Sequence, residues 1–264
     1  MRASLLLAML ALVAAPLAAQ RSAAEYVALG DSLDPWLHPA EALVHYREAI
    51  AVDSTGYDQL WKAARTITDV AKQIEGDADS LKRRRDSLYA VGRAWAEAAV
   101  RAQPYGADGH FALALVLGRL SRTKGSKERV RFAKVIFDEA TRAIEIDSTH
   151  DGAHHVLGAW HAEVKRLSGL QRFFAKTLFG GGFLDRGSWE EAVAHLERAV
   201  ALRPDYIYHR LELAEVYVDR GRYSSARELL VSIEALPVAD VLDPQYKEDA
   251  AALLGEIRDK KDKA

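Results

Sequence analysis

Apolar and small residues recur at helical spacing through nearly all of the chain after Gln20, and four stretches share one pattern. They read Ala42, Tyr46, Ala49, Ile50, Ser54; Gly92, Ala96, Ala99, Val100, Pro104; Ile136, Ala140, Ala143, Ile144, Ser148; and Ala192, Leu196, Ala199, Val200, Pro204. Each closes an amphipathic helix at a Ser or Pro breaker, and a second amphipathic helix follows. In that second helix a large residue precedes a small one at Leu113-Ala114, Leu157-Gly158 and Leu213-Ala214. A small side chain at such a point lets two helices cross closely, ridge into groove. Four segments in phase predict an all-α solenoid of stacked helical hairpins.

The pattern is that of the tetratricopeptide repeat, whose period is about 34 residues. All three intervals between breakers are longer than that, and the surplus has a place each time. The first predicts extended helices over roughly 57–75 and 79–102, with Leu81, Leu88, Val91 and Trp95 at helical spacing. The second falls in the basic stretch 119–134, read as a solvated connection between helices. The third is an insertion at 167–187, after which a capping box, Ser188-Trp189-Glu190-Glu191, restarts the helix. Asp243-Pro244 offers an N-cap and a first-turn proline for a closing helix. Nothing resembling a linker interrupts 20–264, which reads as one repeat domain.

Solenoids use their concave surface for binding, and the repeat phase assigns that surface to the first helix of each unit. The groove candidates are Asp58, Trp61, Arg65 and Asp69, then Phe111, Leu115 and Arg119, then His155 and Ala159, then Tyr208, Leu211 and Glu215. The insertion adds a second candidate element. A helix over about 168–179 sets Leu170, Phe173, Phe174, Thr177 and Leu178 on one side and Arg172 and Lys176 on another, ahead of Gly180-Gly181-Gly182. A soluble protein normally finds an internal partner for such an aromatic face, so the segment is expected to be a lid over the groove. On that expectation Phe173→Ala/Phe174→Ala costs about 2–4 kcal/mol and liposome binding is negligible. An interfacial membrane contact is the alternative.

The first residues carry a different signal. Arg2 precedes an apolar run at 5–13 (LLLAMLALV) and the small-residue stretch Ala14-Ala15-Pro16-Leu17-Ala18-Ala19. That order predicts a secretory signal peptide over 1–19, cleaved after Ala19, and a periplasmic or secreted protein. An uncleaved N-terminal membrane anchor is the alternative, although the apolar run falls short of the roughly 20 residues that span a bilayer.

Composition narrows the chemistry. The 264 residues include no cysteine, so a disulfide framework, a thiolate metal site and a cysteine nucleophile are excluded. With 49% hydrophobic residues, 28% charged residues and a net charge of −2, the chain has a globular composition and no global pull toward nucleic acid. His154, His155 and His161 invite a metal reading, yet no HExxH-type pair completes it, and they are expected to pack in the core or groove. The triple glycine lacks the Lys-Ser/Thr ending of a phosphate loop and reads as a flexible connector. Two basic clusters stand out. Lys82-Arg83-Arg84-Arg85 lies beside Asp77, Asp79 and Asp86 and predicts local pairing. Arg119, Arg122, Lys124, Lys127, Arg129, Arg131 and Lys134 face only Glu128, and could meet an anionic headgroup or acidic partner.

Four stretches, GRLSRTKGSKERV (118–130), GAHHVLGAWHAEV (152–164), RFFAKTLFGGG (172–182) and EEAVAHLERAVALRPDY (190–206), resemble the regulator of microtubule dynamics family. The most specific pieces are His154, Val156, Leu157, Gly158 and Trp160, and the AKTLFG stretch at 175–180. The resemblance covers roughly 35–258 and, with the export signal, implies an exported bacterial relative. It implies a tetratricopeptide-like helical protein with the same two insertions. Members of the family are associated with microtubules, and one tethers organelles and handles phospholipids, so the resemblance implies binding or tethering with no catalytic residue to carry over. The functional expectation is a non-enzymatic scaffold or adaptor that holds a protein or peptide in its concave groove, without cofactor, metal or nucleic acid. A lipid or apolar-ligand carrier of the cell envelope is the competing expectation.

Overall fold

The computed structural model describes residues 21–263, so the leader expected at 1–19 lies outside the described residues. Among these, the helix-periodic runs form twelve α-helices and no strand. They are α1 (Ala23–Ser32), α2 (Pro39–Val52), α3 (Tyr57–Lys72), α4 (Asp79–Ala102), α5 (Ala107–Ser121), α6 (Ser126–Ile146), α7 (Asp151–Arg166), α8 (Gly169–Phe179), α9 (Trp189–Leu202), α10 (Ile207–Asp219), α11 (Tyr223–Glu234) and α12 (Asp243–Glu256). A short 3-10 segment, Gly181–Arg186, follows α8.

The helices pair as α1/α2, α3/α4, α5/α6, α7/α9 and α10/α11, with α12 packed on the last pair. Within this stack α1, α3, α5, α7 and α10 touch in succession and form the inner row. The repeating small positions explain the tight pairing: Ala42, Ala49, Ala96, Ala99, Ala140, Ala143, Ala192 and Ala199 are all fully buried. At Gly158 a Cβ would come within 2.7 Å of Leu196 Cγ and 3.1 Å of the Ala192 carbonyl, so only glycine fits between α7 and α9 without displacement.

A second regularity lies in polar residues. Six residues past each turn carbonyl, a side chain donates back to it: Gln59 to Asp53 at 2.9 Å, His110 to Pro104 at 3.0 Å, His154 to Ser148 at 3.1 Å and Arg210 to Pro204 at 2.8 Å. Carbonyls at helix ends have no partner within the helix, and these contacts supply one.

The surplus residues differ in part from expectation. The stretch 119–134 is not mainly a loop: only 122–125 connects, and Lys127, Arg129, Arg131 and Lys134 occupy the first turns of a lengthened α6. Ser188 caps α9 through the Glu190 and Glu191 amides, but its hydroxyl donates to Glu190 and the reciprocal Glu191 bond is missing. A complete capping box forms instead at Ser168 and Gln171, opening α8. Asp243 does not cap α12 either; its carboxylate turns back to the Ala239 and Asp240 amides, each at 2.8 Å.

The ends of the stack meet. Trp36, in the turn between α1 and α2, accepts a 2.9 Å hydrogen bond from the Val241 amide and lies edge-on to Tyr206. The Arg65 and Arg203 guanidinium carbons lie 3.4 and 4.4 Å from the centroid of its ring. This joint sits over the inner row beside α3 and fills that part of the concave side.

Candidate functional site

The twelve groove candidates separate into three groups and one residue, Glu215, that stands apart. Arg65 and Asp69 are buried beneath the Trp36 joint, and Leu211 is buried in the core against α9 and α11. These three present nothing to a ligand, a correction with two causes: at Arg65 and Asp69 the chain folds its own N-terminal turn onto α3, which helix periodicity does not register, whereas Leu211 faces α9 and α11 within its own hairpin stack. Asp69 stands 2.8 Å from Lys72 Nζ and 3.5 Å from Arg65 Nε. Burial opposes its charge, but Lys72 and Arg65 more than reverse this and hold the carboxyl below its ordinary range. Asp58, Trp61 and Phe111 sit on α3 and α5 away from the open pocket; Trp61 bonds Asp58 at 3.4 Å, and Phe111 packs on His150 with ring centroids 4.6 Å apart.

Leu115, Arg119, His155, Ala159 and Tyr208 do come together. They line an open pocket of about 280 Å³ enclosed by α5, α6, α7, α8 and α10. Ala114, Val130, Val156, Ala159, Trp160 and Leu184 give it an apolar lining, and Arg119, Arg122, Arg129, Glu163 and Glu212 are its charged members. Arg119 donates to the Tyr208 hydroxyl at 3.1 Å, and Tyr208 donates to Glu212 at 3.2 Å. Burial disfavours the Arg119 charge, but Tyr208, Tyr246 and Tyr89 outweigh it, so the guanidinium is firmly charged. Glu215 lies outside the pocket, in an acidic group with Glu212 and Asp219 around Arg166. Burial and the neighbouring Glu212 push its carboxyl up to about 7, against the pull of Arg166.

Sequence reasoning missed the α6 and α8 walls. Arg122 and Arg129 were visible as a basic cluster, but their convergence with Arg119 on one cavity depends on α6 starting a turn early. Gln171 and Ala175 also line the pocket, so the insertion is a wall of the site. It does not cover the site with its aromatic face. Leu170, Phe173, Phe174 and Leu178 are 66%, 60%, 46% and 63% exposed, and only Ala175 of α8 is buried. The expectation that Phe173 and Phe174 find an internal partner is therefore overturned, and with it the stability cost attached to their truncation. Helix α8 seats on α6 through its small-residue side because Ala175 allows close approach; the bulky side is left outward.

The histidines form paired structural contacts. His154 gives one ring nitrogen to the Ser148 carbonyl and meets His195 at 2.9 Å; His209 binds Asp151 at 3.0 Å and meets His155 at 3.0 Å. Each pair requires one neutral acceptor nitrogen facing one donor. Among the described residues no group of three His, Cys, Asp or Glu side chains is arranged to hold a metal ion. Burial, then the neighbouring His154 and His161, depress His195 to about 4. Its unfolded value is roughly 6.5, so the stability it contributes is complete above that pH and lost as pH falls toward 4. Thermal melts from pH 7.5 to 4.5 should show a loss shared with His154, His155, His161 and His209, which burial also depresses, and His195→Gln should make the fall shallower. An unchanged profile in the variant would refute the assignment.

A stack of helical hairpins with small residues at every crossing and an inner row bearing the pocket defines a tetratricopeptide-like repeat protein. The solved structure of a thermophilic TPR protein of Thermus thermophilus superposes with a TM-score of 0.58 at 18% identity, covering 89% of this chain and 98% of that one, which establishes the fold. The chain belongs to the family described as Regulator of microtubule dynamics protein 1-3, whose profile matches residues 37–258. It is 26% identical over 198 residues to Regulator of microtubule dynamics protein 3 of Rattus norvegicus, covering 74% of this chain and 40% of that protein. It is 26% identical over 221 residues to Regulator of microtubule dynamics protein 1 of Bos taurus, covering 83% of this chain and 66% of that protein. The chain thus spans less than two thirds of either relative.

Proposed function

We propose that the protein is a non-enzymatic helical-repeat scaffold that holds a short segment of a partner protein in the pocket between α5, α7 and α10. The observation that carries this is the pocket itself: about 280 Å³ lined by apolar side chains and three arginines, set in the inner row that solenoids use for binding. Its volume suits two or three side chains rather than a long peptide. Arg119, Arg122 and Arg129 favour an acidic segment or a terminal carboxylate, which guanidinium groups bind through paired hydrogen bonds. Tyr208 is engaged with Glu212 and with one Arg119 nitrogen, and His155 with His209, which supports binding over catalysis.

A second reading, a carrier of a lipid or other apolar ligand, is favoured by the hydrocarbon character of Val156, Ala159, Trp160 and Leu184 in the lining of the same pocket. One experiment separates the two. Affinity purification from the native host is followed by native mass spectrometry, using the wild type and an Ala159→Trp variant that fills the pocket. A partner protein lost from the variant supports the scaffold, and a co-purified lipid lost from the variant supports the carrier. A partner retained by the variant places binding elsewhere and rejects both.

Export belongs to the same proposal. The leader at 1–19 is taken to be removed, leaving a periplasmic or secreted protein. N-terminal sequencing of the protein from its host should begin near Gln20; a start at Met1 in the membrane fraction would establish the anchored alternative.

A further inference from the structure

Among the described residues, α8 presents a face of large apolar side chains without an internal partner. Leu170, Phe173, Phe174 and Leu178 stand at successive helical turns on one side of an eleven-residue helix, each between 46% and 66% exposed. Soluble proteins scatter single apolar residues over their surface, whereas a contiguous stripe of large ones marks a contact. The charges beside it narrow the choice of contact. Leu178 shares a surface groove with Lys127, Arg131 and Lys134 of α6, against a single acid there, Glu128. Those three bases project from one side of α6 at i, i+4 and i+7, and all are exposed. Lys134 is paired with Asp138, whereas Lys127 and Arg131 have no ion pair among the described residues. Arg172 and Lys176 are directed away from the stripe, to the Val164 carbonyl and to Asp185. The surface is therefore an apolar aromatic ridge with a basic shoulder.

We propose that this ridge docks on the surface of a bilayer rich in anionic phospholipid: Leu170, Phe173, Phe174 and Leu178 enter the boundary between headgroups and acyl chains while Lys127, Arg131 and Lys134 meet the headgroups. A basic shoulder beside an aromatic ridge complements a negatively charged interface whose interior is apolar, the arrangement of helices that lie in the membrane plane. A protein partner of matching shape would need acids to oppose the shoulder, and a second copy of this chain would bring the same bases against it. No helix among the described residues is long and apolar enough to cross a membrane, so the contact is peripheral. Docking by α8 is independent of what the pocket holds. Because α8 also forms a pocket wall, it would present the pocket close to the membrane.

The test is vesicle co-sedimentation with the chain from Gln20 onward, which contains every described helix and omits the apolar leader. Vesicles of pure phosphatidylcholine are compared with vesicles containing about a third phosphatidylglycerol. The wild type should bind the anionic vesicles and release them as salt rises. Phe173→Ala/Phe174→Ala should weaken binding at least about tenfold, and Lys127→Glu/Arg131→Glu should abolish it, since each base near an anionic surface contributes about fivefold. The first variant should melt within about 2 °C of the wild type because its side chains are exposed, which keeps the loss attributable to the surface. A wild type that stays in the supernatant with anionic vesicles overturns the proposal. So does wild-type binding by either variant, or vesicle binding lost only in Ala159→Trp. A wild-type dimer in light scattering that Phe173→Ala/Phe174→Ala converts to monomer, without vesicle binding, assigns the ridge to self-association instead.

Discussion

Leu196→Ala is expected to destabilise the protein by about 3 kcal/mol, and placing alanine at Gly158 in the same chain is expected to return part of that loss. Leu196 is completely buried in the cluster joining α9, α10 and α7, and truncating such a leucine costs both transfer free energy and a cavity. Its Cγ is the atom that a Cβ on residue 158 would strike, at 2.7 Å. Alone, therefore, Gly158→Ala should destabilise by about 1–2 kcal/mol, overpacking exceeding the roughly 1 kcal/mol that alanine gains in a helix. In the double variant the new methyl occupies space the leucine has left, and the two costs should sum to more than the measured total. Denaturant unfolding of the four proteins in a mutant cycle checks this. Strict additivity would mean that α7 and α9 do not meet at these two residues.

Asp69→Ala should be at least as severe, about 3–5 kcal/mol, by leaving Lys72 and Arg65 buried without a counter-charge. The pair is not needed for its own attraction, since burying charges costs about as much as pairing them recovers. Removing one sign alone is what is costly. A variant that removes all three charges, Asp69→Leu with Lys72→Met and Arg65→Met, should consequently recover most of the lost stability. The pH dependence has a definite sign. The Asp69 carboxyl is held below its unfolded value of about 3.9, so its contribution is complete above that pH and disappears as pH falls further. Melts below pH 4 should therefore separate the wild type from the neutralised variant, the wild type falling more steeply. An Asp69→Ala protein that melts with the wild type would show that the inner row is open to water at this point.

The stacked hairpins were legible because every helix crossing demands the same small residue, a local constraint repeated along the chain. Ala49, Ala99, Ala143 and Ala199 occur in register for that reason, and the helices follow them. The pocket was half legible. Leu115, Arg119, His155, Ala159 and Tyr208 sit on the inner row where repeat phase puts them. The burial of Arg65 and Asp69 was not legible, since it results from the joint of Trp36, Tyr206 and Asp240, remote from α3 in sequence and outside any periodic run. Nor was the outward turn of Phe173 and Phe174. Amphipathicity shows that a helix has two unlike sides, but Ala175 on the less apolar side gave the closer approach to α6, and packing followed shape over hydrophobicity.

The bond between the Val241 amide and the Trp36 carbonyl has a consequence for how the protein comes apart. A repeat array with only neighbour contacts frays from its ends and loses units one at a time. Here the turn between α1 and α2 and the loop before α12 hold each other, so residues some two hundred positions apart must separate before either outer hairpin can leave. Unfolding then becomes a single cooperative event rather than a progressive one. Folding acquires a slow final closure, whose rate is limited by bringing distant segments together instead of by forming helices.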